Sequence, residues 1–273
     1  MPVIFRDVMR NVLHHLRTAT LSLLLMAAAG LTPTAAAEPA ALDAIIMELA
    51  PPPSGEALAQ IPDPGRKLLA LRSYLRSGPE IAKRWSWTAD EIKAFEGSAE
   101  QRALLAEIAA VKAHFAANNP GFEVYVHGTV RSLDEQVAKW NANESVGAVA
   151  SEILGAYKAA FETGGGQPAA IDAKKLAGWL RAYQPSKRAN LAAPGMTLHG
   201  RASAIDFQIM KGGRIYAGAD TKQVTGIWRA EGWDQKLKAS VNAAGPSFIG
   251  PLANPDEPWH YDYAPGPESA SAD

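Results

Sequence analysis

The sequence predicts an α+β fold in which a small antiparallel sheet is flanked by helices and preceded by an N-terminal helical extension. Helical spacing of apolar residues dominates the chain up to about residue 183, whereas runs of strand-forming residues are short and concentrate in the last third. Helices and strands follow no regular βαβ alternation, which argues against a doubly wound parallel sheet.

The first 37 residues have the pattern of a secretory signal. Three arginines precede an apolar run at 19–31, and three alanines at 35–37 give the small residues that signal cleavage requires. The run is shorter than the roughly 20 residues of a membrane-spanning helix. We therefore expect the signal to be removed and the protein to be exported, to the periplasm or cell envelope, with no stable membrane span. A retained membrane anchor is the alternative.

The composition excludes several functions. Removal of residues 1–37 takes away three arginines and one aspartate, which leaves 24 basic and 27 acidic side chains and a formal charge of about −3. No basic surface for nucleic acid is expected from that balance. The chain contains no cysteine, so disulfides, thiolate metal ligands and cysteine nucleophiles are excluded.

Two N-terminal segments precede the main domain. Residues 38–64 are rich in Pro and Ala and include PPPSG and IPDPG, a composition typical of a linker. Residues 65–97 are predicted to be a helical extension, because RKLLALRSYLRS has helical apolar spacing. Trp85 and Trp87 could stack on sugars, but we expect them to dock this extension onto the main domain.

Residues 98–273 are predicted to form the main domain. A helix capped by Ser98 leads to a strand at 122–128, and a second capped helix begins at Ser132. A flexible segment, TGGGQP, separates two of the later helices. Further helices are expected at 145–162, 171–183, 219–230 and 234–243, and further strands at ASAIDFQIM, GRIYAG and WHYDY.

Asp206 lies at the centre of the predicted strand ASAIDFQIM. In an extended strand Ile205, Phe207 and Ile209 share one face, which we expect to be buried, and Asp206 lies on the other face. His199 is seven residues earlier, in the loop that leads into the strand. A bend in that loop could bring the imidazole over the carboxylate.

Glu257 and His260 lie together in EPWH, where the last strand begins. A straight strand would put them on opposite faces, but Pro258 has no N–H and favours an extended Glu257 outside the hydrogen-bonded ladder. The two side chains can then converge at the start of the strand. Asp262 could orient the imidazole of His260, although a solvated strand carboxylate is the plainer interpretation.

One aspartate, two histidines and one glutamate together predict an open zinc site. Such a site has three protein ligands, a fourth position for water and a carboxylate that accepts the proton of that water. The spacing alone leaves a plainer alternative open, namely a surface histidine and a structural aspartate. The chain contains no S-x-x-K, G-x-S-x-G or H-E-x-x-H, the signatures of serine-dependent enzymes and ordinary zincins.

The segment TLHGRASAID, with Thr197, His199, Ala204 and Asp206, resembles the motif S/T-x-H-x-x-G-x-A-x-D of the D-Ala-D-Ala metallopeptidases, and EPWH resembles their motif E-x-W-H. This family is related to lysostaphin-type enzymes and to the hedgehog signalling domain. VHGTVRSLDEQ is similar to the family's segment S-G-Y-R-S-x-x-x-Q, in which the arginine contacts substrate. The three segments occur in the expected order and span roughly half the chain.

The resemblance implies that His199, Asp206 and His260 bind Zn²⁺ and that Glu257 is the catalytic general acid and base. The implied function is that of an exported metallopeptidase that hydrolyses peptide bonds in peptidoglycan stem peptides, as a D-alanyl-D-alanine carboxypeptidase or an endopeptidase. A non-catalytic, zinc-containing protein that binds cell-wall peptides is one alternative. A peptidase that acts on other peptides is another.

The resemblance also assigns two residues to the substrate. Arg131 would bind a substrate carboxylate or stabilise a developing oxyanion, and Gln136 would contribute to substrate binding. The chain departs from the family pattern where Ala202 stands in place of a glycine and Val130 in place of a tyrosine. The first departure bears on the loop that carries the predicted histidine ligand, and the second bears on substrate contact.

Overall fold

The computed structural model describes residues 37–161 and 172–266, which lie in one compact unit, Ala35–Asp273. The predicted secretory signal, except for Ala37, and the predicted flexible segment TGGGQP lie outside the described residues. None of the helices in the two described ranges combines the length and the apolar character that a membrane crossing needs.

The fold is α+β, as the sequence predicted. The predicted N-terminal caps are present, since the side chains of Ser98 and Ser132 accept hydrogen bonds from the N–H groups of Gln101 and Glu135. The α-helices are α1 (Ala37–Leu49), α2 (Gly55–Ala59), α3 (Pro64–Ser77), α4 (Ile81–Arg84), α5 (Ala89–Phe95), α6 (Ala99–Asn118), α7 (Leu133–Ala142), α8 (Glu144–Phe161), α9 (Ala173–Ala182) and α10 (Trp233–Ala244). Shorter turns are the 3₁₀ segments Gly78–Glu80, Leu198–Arg201 and Thr221–Gln223 and the π-helical segment Val224–Arg229.

The strands of the described residues are short and antiparallel. They are β1 (Phe122–Tyr125), β2 (Ala204–Asp206), β3 (Gln208–Lys211), β4 (Arg214–Ala217), β5 (Phe248–Ile249) and β6 (His260–Tyr263). These strands form two three-stranded sheets, one in the order β1-β3-β4 and the other in the order β2-β6-β5. The sequence predicted one small sheet, so the class is confirmed and the number of sheets is corrected.

The second sheet exists because the predicted strand ASAIDFQIM divides at Phe207. The part before this residue pairs with β6, whereas the part after it pairs with β1 and β4. The N–H of Phe207 donates to the carbonyl of Trp259 at 2.9 Å. Ile205, Phe207 and Ile209 are fully buried, as their alternation predicted. Alternation defines the buried face of a strand but does not define its pairing partners, so the division could not be predicted.

Two hydrophobic cores stabilise the described residues. Helices α1, α2, α3, α7, α8 and α9 form the helical core, which includes Tyr74 and Trp140. Helices α6 and α10 pack with both sheets in the sheet core, which includes Phe115 and Tyr261. Removal of these apolar side chains from water is the main term that favours the folded state.

Residues 38–64 do not form a linker. Helices α1 and α2 occupy most of this segment. Leu42, Ile46 and Leu58 are buried in the helical core. The linker prediction is wrong because alanine is also the strongest helix-forming residue and because prolines are tolerated at helix starts and between helices.

Residues 65–97 are largely helical, as predicted, but α3 within this segment is part of the helical core. Helix α3 approaches α8 so closely that a Cβ atom on Gly65 would lie 2.3 Å from the carbonyl oxygen of Ala150. A glycine is therefore required at this crossing. The predicted extension and α8 share one core, although Gly65 and Ala150 are 85 residues apart in the sequence.

The segment that follows α4 docks onto the loop before β2. The N–H groups of Ser86 and Trp87 donate to the carbonyls of Gly195 and Gly200, each at 2.9 Å. The ring of Trp85 covers Gly195 so closely that an added Cβ would lie 2.4 Å from it. Trp85 packs against the helical core and Trp87 against the sheet core. Both tryptophans therefore dock the N-terminal helices, as expected.

Candidate metal centre

The 3₁₀ turn Leu198–Arg201, just before β2, carries His199. Thr197 caps the turn, because its side chain accepts a hydrogen bond from the N–H of His199 at 3.4 Å. The carbonyl of His199 accepts a hydrogen bond from the N–H of Arg131 at 2.9 Å. These backbone contacts fix the position of the buried imidazole.

Ala202 reverses the chain immediately after this turn. Its φ of 54° and ψ of 18° are left-handed, and it is the one non-glycine residue with positive φ in the described ranges. This conformation costs a residue with a Cβ atom about 1–2 kcal/mol, and glycine avoids that cost. Ala202 nevertheless adopts it, so the departure from the glycine of the resembling motif leaves His199 directed at Asp206.

Asp206 and His260 are brought together by the pairing of β2 with β6. They lie directly opposite each other in the register, so their side chains project from the same face of the sheet. Glu257 joins them through a turn, in which the N–H of His260 donates to the carbonyl of Glu257 at 3.0 Å. Glu257 and His260 therefore converge, as the sequence predicted.

Three potential ligand atoms meet at this point. His199 Nε2 lies 3.1 Å from His260 Nδ1, and Asp206 Oδ1 lies 3.3 Å from the first and 3.2 Å from the second. Tetrahedral ligands about 2.0–2.1 Å from a zinc ion are separated by about 3.3–3.4 Å. The three side chains are between 11 and 16% exposed. This buried group of His199, Asp206 and His260 can hold a metal ion.

The charges of the group favour a cation. Burial lowers the pKa of His199, although the hydrogen bond and charge of Asp206 oppose this effect. Burial alone would raise the pKa of Asp206, but hydrogen bonds from His199 and His260 and the charge of Arg131 lower it far below its usual range. A neutral imidazole and an ionised carboxylate are the forms that bind metal ions.

Asp262 contacts the second ring nitrogen of His260. Its Oδ1 lies 3.2 Å from His260 Nε2, so it can fix the tautomer that leaves a lone pair on Nδ1. The structure thus favours the orienting role over the plainer interpretation of a solvated carboxylate. Burial on its own lowers the pKa of His260, but Asp206, Glu257 and Asp262 outweigh burial and raise it.

Glu257 lies beside the three ligand atoms without belonging to their group. Its Oε2 lies 3.8 Å from His260 Nδ1, and its side chain is 17% exposed. Burial is the main cause of a raised pKa of Glu257, to which the charge of Asp206 adds while His260 and Arg131 oppose it. A carboxyl group with a raised pKa at this position is suited to accept and return a proton.

Arg131 contacts the centre through Asp206. Its Nη2 donates to Asp206 Oδ2 at 2.9 Å, and Oδ2 is the oxygen that takes no part in the group of three ligand atoms. The side chain of Arg131 is 22% exposed. Arg131 therefore orients the carboxylate of Asp206, in addition to any contact that it makes with a substrate.

Gln136 does not line the cleft. Its Nε2 donates to Ser86 Oγ at 2.9 Å and to the carbonyl of Arg131 at 2.8 Å, and its Oε1 accepts from the N–H of Gly195 at 2.8 Å. The residue is 6% exposed. The assignment of Gln136 to substrate binding is therefore corrected, because its amide is buried and holds together the loops that support the centre.

A cleft of about 330 Å³ opens beside the metal centre. His199 and Asp206 line one part of it, and residues 127–131 line another. Lys139 of α7 also lines the cleft and was not predicted from the sequence. Its signal is the spacing of four residues from Glu135, which places both on the same face of the helix predicted to begin at Ser132.

Comparison with known proteins finds no match for this chain. The chain matches no protein-family model, no curated protein and no solved structure. The resemblance to the D-Ala-D-Ala metallopeptidases therefore rests on the sequence motifs. The convergence of the three ligand atoms is an independent property of the fold.

Proposed function

We propose that this protein is a zinc-dependent peptidase that hydrolyses peptide bonds in peptidoglycan stem peptides. The observation that carries the proposal is the convergence of His199, Asp206 and His260 with a separate carboxylate, Glu257, beside them. A structural zinc site is closed by four protein ligands, whereas a catalytic site has three and keeps one position open. Three ligands and a neighbouring carboxylate therefore favour catalysis over a purely structural role.

The donor set fits zinc. Two imidazole nitrogens and one carboxylate oxygen are ligands that zinc accepts, and the contact of Asp262 with His260 is the kind of support that zinc-binding histidines have. A zinc ion held there would polarise the scissile carbonyl and lower the pKa of a bound water towards neutrality.

Glu257 is the proton carrier in this proposal. Its carboxylate accepts a proton from the attacking water and returns it to the leaving amine. The burial that raises the pKa of Glu257 helps it to hold the proton between these two events. Arg131 holds Asp206 Oδ2 at 2.9 Å, which keeps Oδ1 directed at the two histidines.

The proposed substrate follows from the sequence. TLHGRASAID and EPWH resemble motifs of the D-Ala-D-Ala metallopeptidases, and the predicted secretory signal would bring the protein to the peptidoglycan. The cleft of about 330 Å³ is at the small end of the range of ligand sites. It therefore suits a short segment of peptide.

Defined muropeptides test the proposal. Purified, zinc-loaded protein is incubated with them, with and without a chelator, and the products are identified by mass spectrometry. We expect chelator-sensitive release of a terminal D-Ala or cleavage of an internal bond. Glu257→Gln should retain zinc and lower kcat by about 10²–10⁴-fold, because it removes the general base.

Glu123→Gln is the matched control, since Glu123 is exposed on β1 and outside the residues that line the cleft. It should leave kcat unchanged. Unchanged turnover in Glu257→Gln would refute the proton-carrier role. No cleavage of any muropeptide at full zinc occupancy would contradict the peptidase proposal and favour a cell-wall-peptide-binding protein.

A further inference from the structure

The cleft beside the metal centre contains a cation that the proposed mechanism does not use. Lys139 is exposed on α7 and lines the cleft together with Arg131. Arg131 is bonded to Asp206 at 2.9 Å. Within the described residues, the ammonium group of Lys139 makes neither a hydrogen bond nor an ion pair. Lys139 is therefore the lining cation whose charge is available to a ligand.

The dimensions of the cleft favour the end of a peptide. Its volume of about 330 Å³ is near the lower limit of roughly 300–1,000 Å³ for small-molecule sites. The last residues of a peptide, which carry a carboxylate, fit both the volume and the lysine.

We propose that Lys139 binds the C-terminal carboxylate of the substrate and so directs hydrolysis to the last peptide bond. This inference rests on the proposed function of the same site, and it makes the enzyme a carboxypeptidase. A hydrogen bond between an ammonium and a carboxylate is about twice as strong as a neutral one. The role differs from that of Arg131, which positions a ligand of the metal centre.

Glu135 lies in the same cleft and carries the charge opposite to that of Lys139. It lies four residues before Lys139 on α7, and the two groups form no ion pair within the described ranges. Its negative charge opposes an anionic ligand. Removal of that charge is therefore expected to strengthen the binding of a carboxylate, whereas removal of the lysine charge weakens it.

Two peptides that differ only at the C-terminus test the inference. The full-length, zinc-loaded protein is assayed with a tripeptide that ends in D-Ala-D-Ala, as the free acid and as the amide. The kcat/KM of the wild type should be about tenfold or more higher for the acid than for the amide, because KM for the acid is lower. Lys139→Met should abolish this preference. Lys139→Arg should retain most of it, and Glu135→Gln should increase it.

Lys187→Met is the matched control, because Lys187 is exposed and does not line the cleft. It should keep the wild-type preference. The preference of the wild type should also decrease at high salt, since salt screens the attraction between the two charges. An acid-to-amide ratio in Lys139→Met equal to that of the wild type overturns the inference.

Calorimetry separates failure of this inference from failure of the proposed function. If the wild type cleaves neither tripeptide, the peptidase proposal fails, and the binding of the two tripeptides is then measured directly. Binding of the acid about tenfold tighter than the amide, lost in Lys139→Met, supports recognition of the carboxylate. Equal binding of the two, or no binding, overturns it.

Discussion

Asp206 and His260 each use one polar atom in the candidate metal centre and the other for a supporting partner. Oδ1 of Asp206 faces the ligand nitrogens while Oδ2 accepts from Arg131, and Nδ1 of His260 faces the centre while Nε2 contacts Asp262. Both side chains are thus held in place by a partner outside the candidate metal centre. The metal affinity should therefore depend on the supporting partners and on the protonation of the ligands.

The first prediction concerns pH. Metal binding requires a neutral imidazole, and the carboxylates around His260 raise its pKa despite burial. The zinc affinity should therefore fall as the pH is lowered through a value above the ordinary pKa of histidine, about 6.5. Competition with a chromophoric chelator between about pH 5.5 and 8.5 measures this dependence.

Asp262→Asn removes one of the groups that raise the pKa of His260. This variant should bind zinc about 10–100-fold more weakly at neutral pH, because the support of the imidazole is lost. The midpoint of its pH dependence should move to lower pH. A zinc affinity of the wild type that stays constant over this pH range would contradict the proposed ligand role of His260.

The roles of site residues that lie in short sequence motifs could be predicted. The roles of residues whose contacts are distant in the sequence could not. His199 and Asp206 occupy one motif, and Glu257 and His260 occupy another, so short stretches of sequence indicated all four. The role of Gln136 depends on three segments that meet only in the folded chain. Its position in a resembling motif therefore suggested a substrate contact that its buried amide does not make.

The loop from Gly195 to Ala202 positions His199 through contacts with separate parts of the chain. Ser86 and Trp87 bind its backbone from the N-terminal segment, and Gln136 binds it from α7. The strand pattern and the helix caps around this loop were predictable because they depend on neighbouring residues. The docking of the loop depends on contacts between distant residues, which the alternation of apolar residues does not reveal.

The second prediction tests that docking. A Cβ atom on Gly200 would lie 1.9 Å from Ser86 Oγ and 2.8 Å from Gln136 Nε2, so Gly200→Ala must displace the loop. We expect it to lower the free energy of unfolding by about 1–3 kcal/mol and to weaken zinc binding. Denaturant unfolding and zinc titration measure the two effects.

Gly155→Ala is the control for this substitution. Gly155 is exposed on α8, and an added Cβ meets no atom within 4 Å. Alanine should raise the free energy of unfolding there by about 0.5–1 kcal/mol, because it favours helix more than glycine does. If Gly200→Ala leaves both stability and zinc affinity at wild-type values, the tight contact with Ser86 does not exist in solution.

The N-terminal segment is part of the fold that supports the candidate metal centre. Its helices share the helical core with α7, α8 and α9, and Trp85 and Trp87 connect that core with the sheet core. The sequence predicted the class of fold from the order of its elements. The interpretation of residues 38–64 as a linker failed because a few buried apolar residues were hidden among prolines and alanines.

The third prediction tests whether α1 is packed into the helical core. Ile46 of α1 is fully buried in the helical core, so Ile46→Ala should lower the free energy of unfolding by about 2–5 kcal/mol. Met47→Ala is the control, since Met47 itself is 36% exposed and its truncation should cost less than about 1 kcal/mol. Equal stability of both variants in denaturant unfolding would mean that α1 is detached from the core.

Calorimetric titration of zinc into the chelator-treated protein shows whether His199, Asp206 and His260 bind the metal. We expect about one zinc ion per chain in the wild type and in Glu257→Gln, because Glu257 is not one of the proposed ligands. His199→Ala, Asp206→Ala and His260→Ala should each lose more affinity than the roughly 10–100-fold that follows from loss of a supporting partner. Absence of zinc binding in the wild type, or undiminished affinity in these three variants, would show that these residues do not form a zinc site.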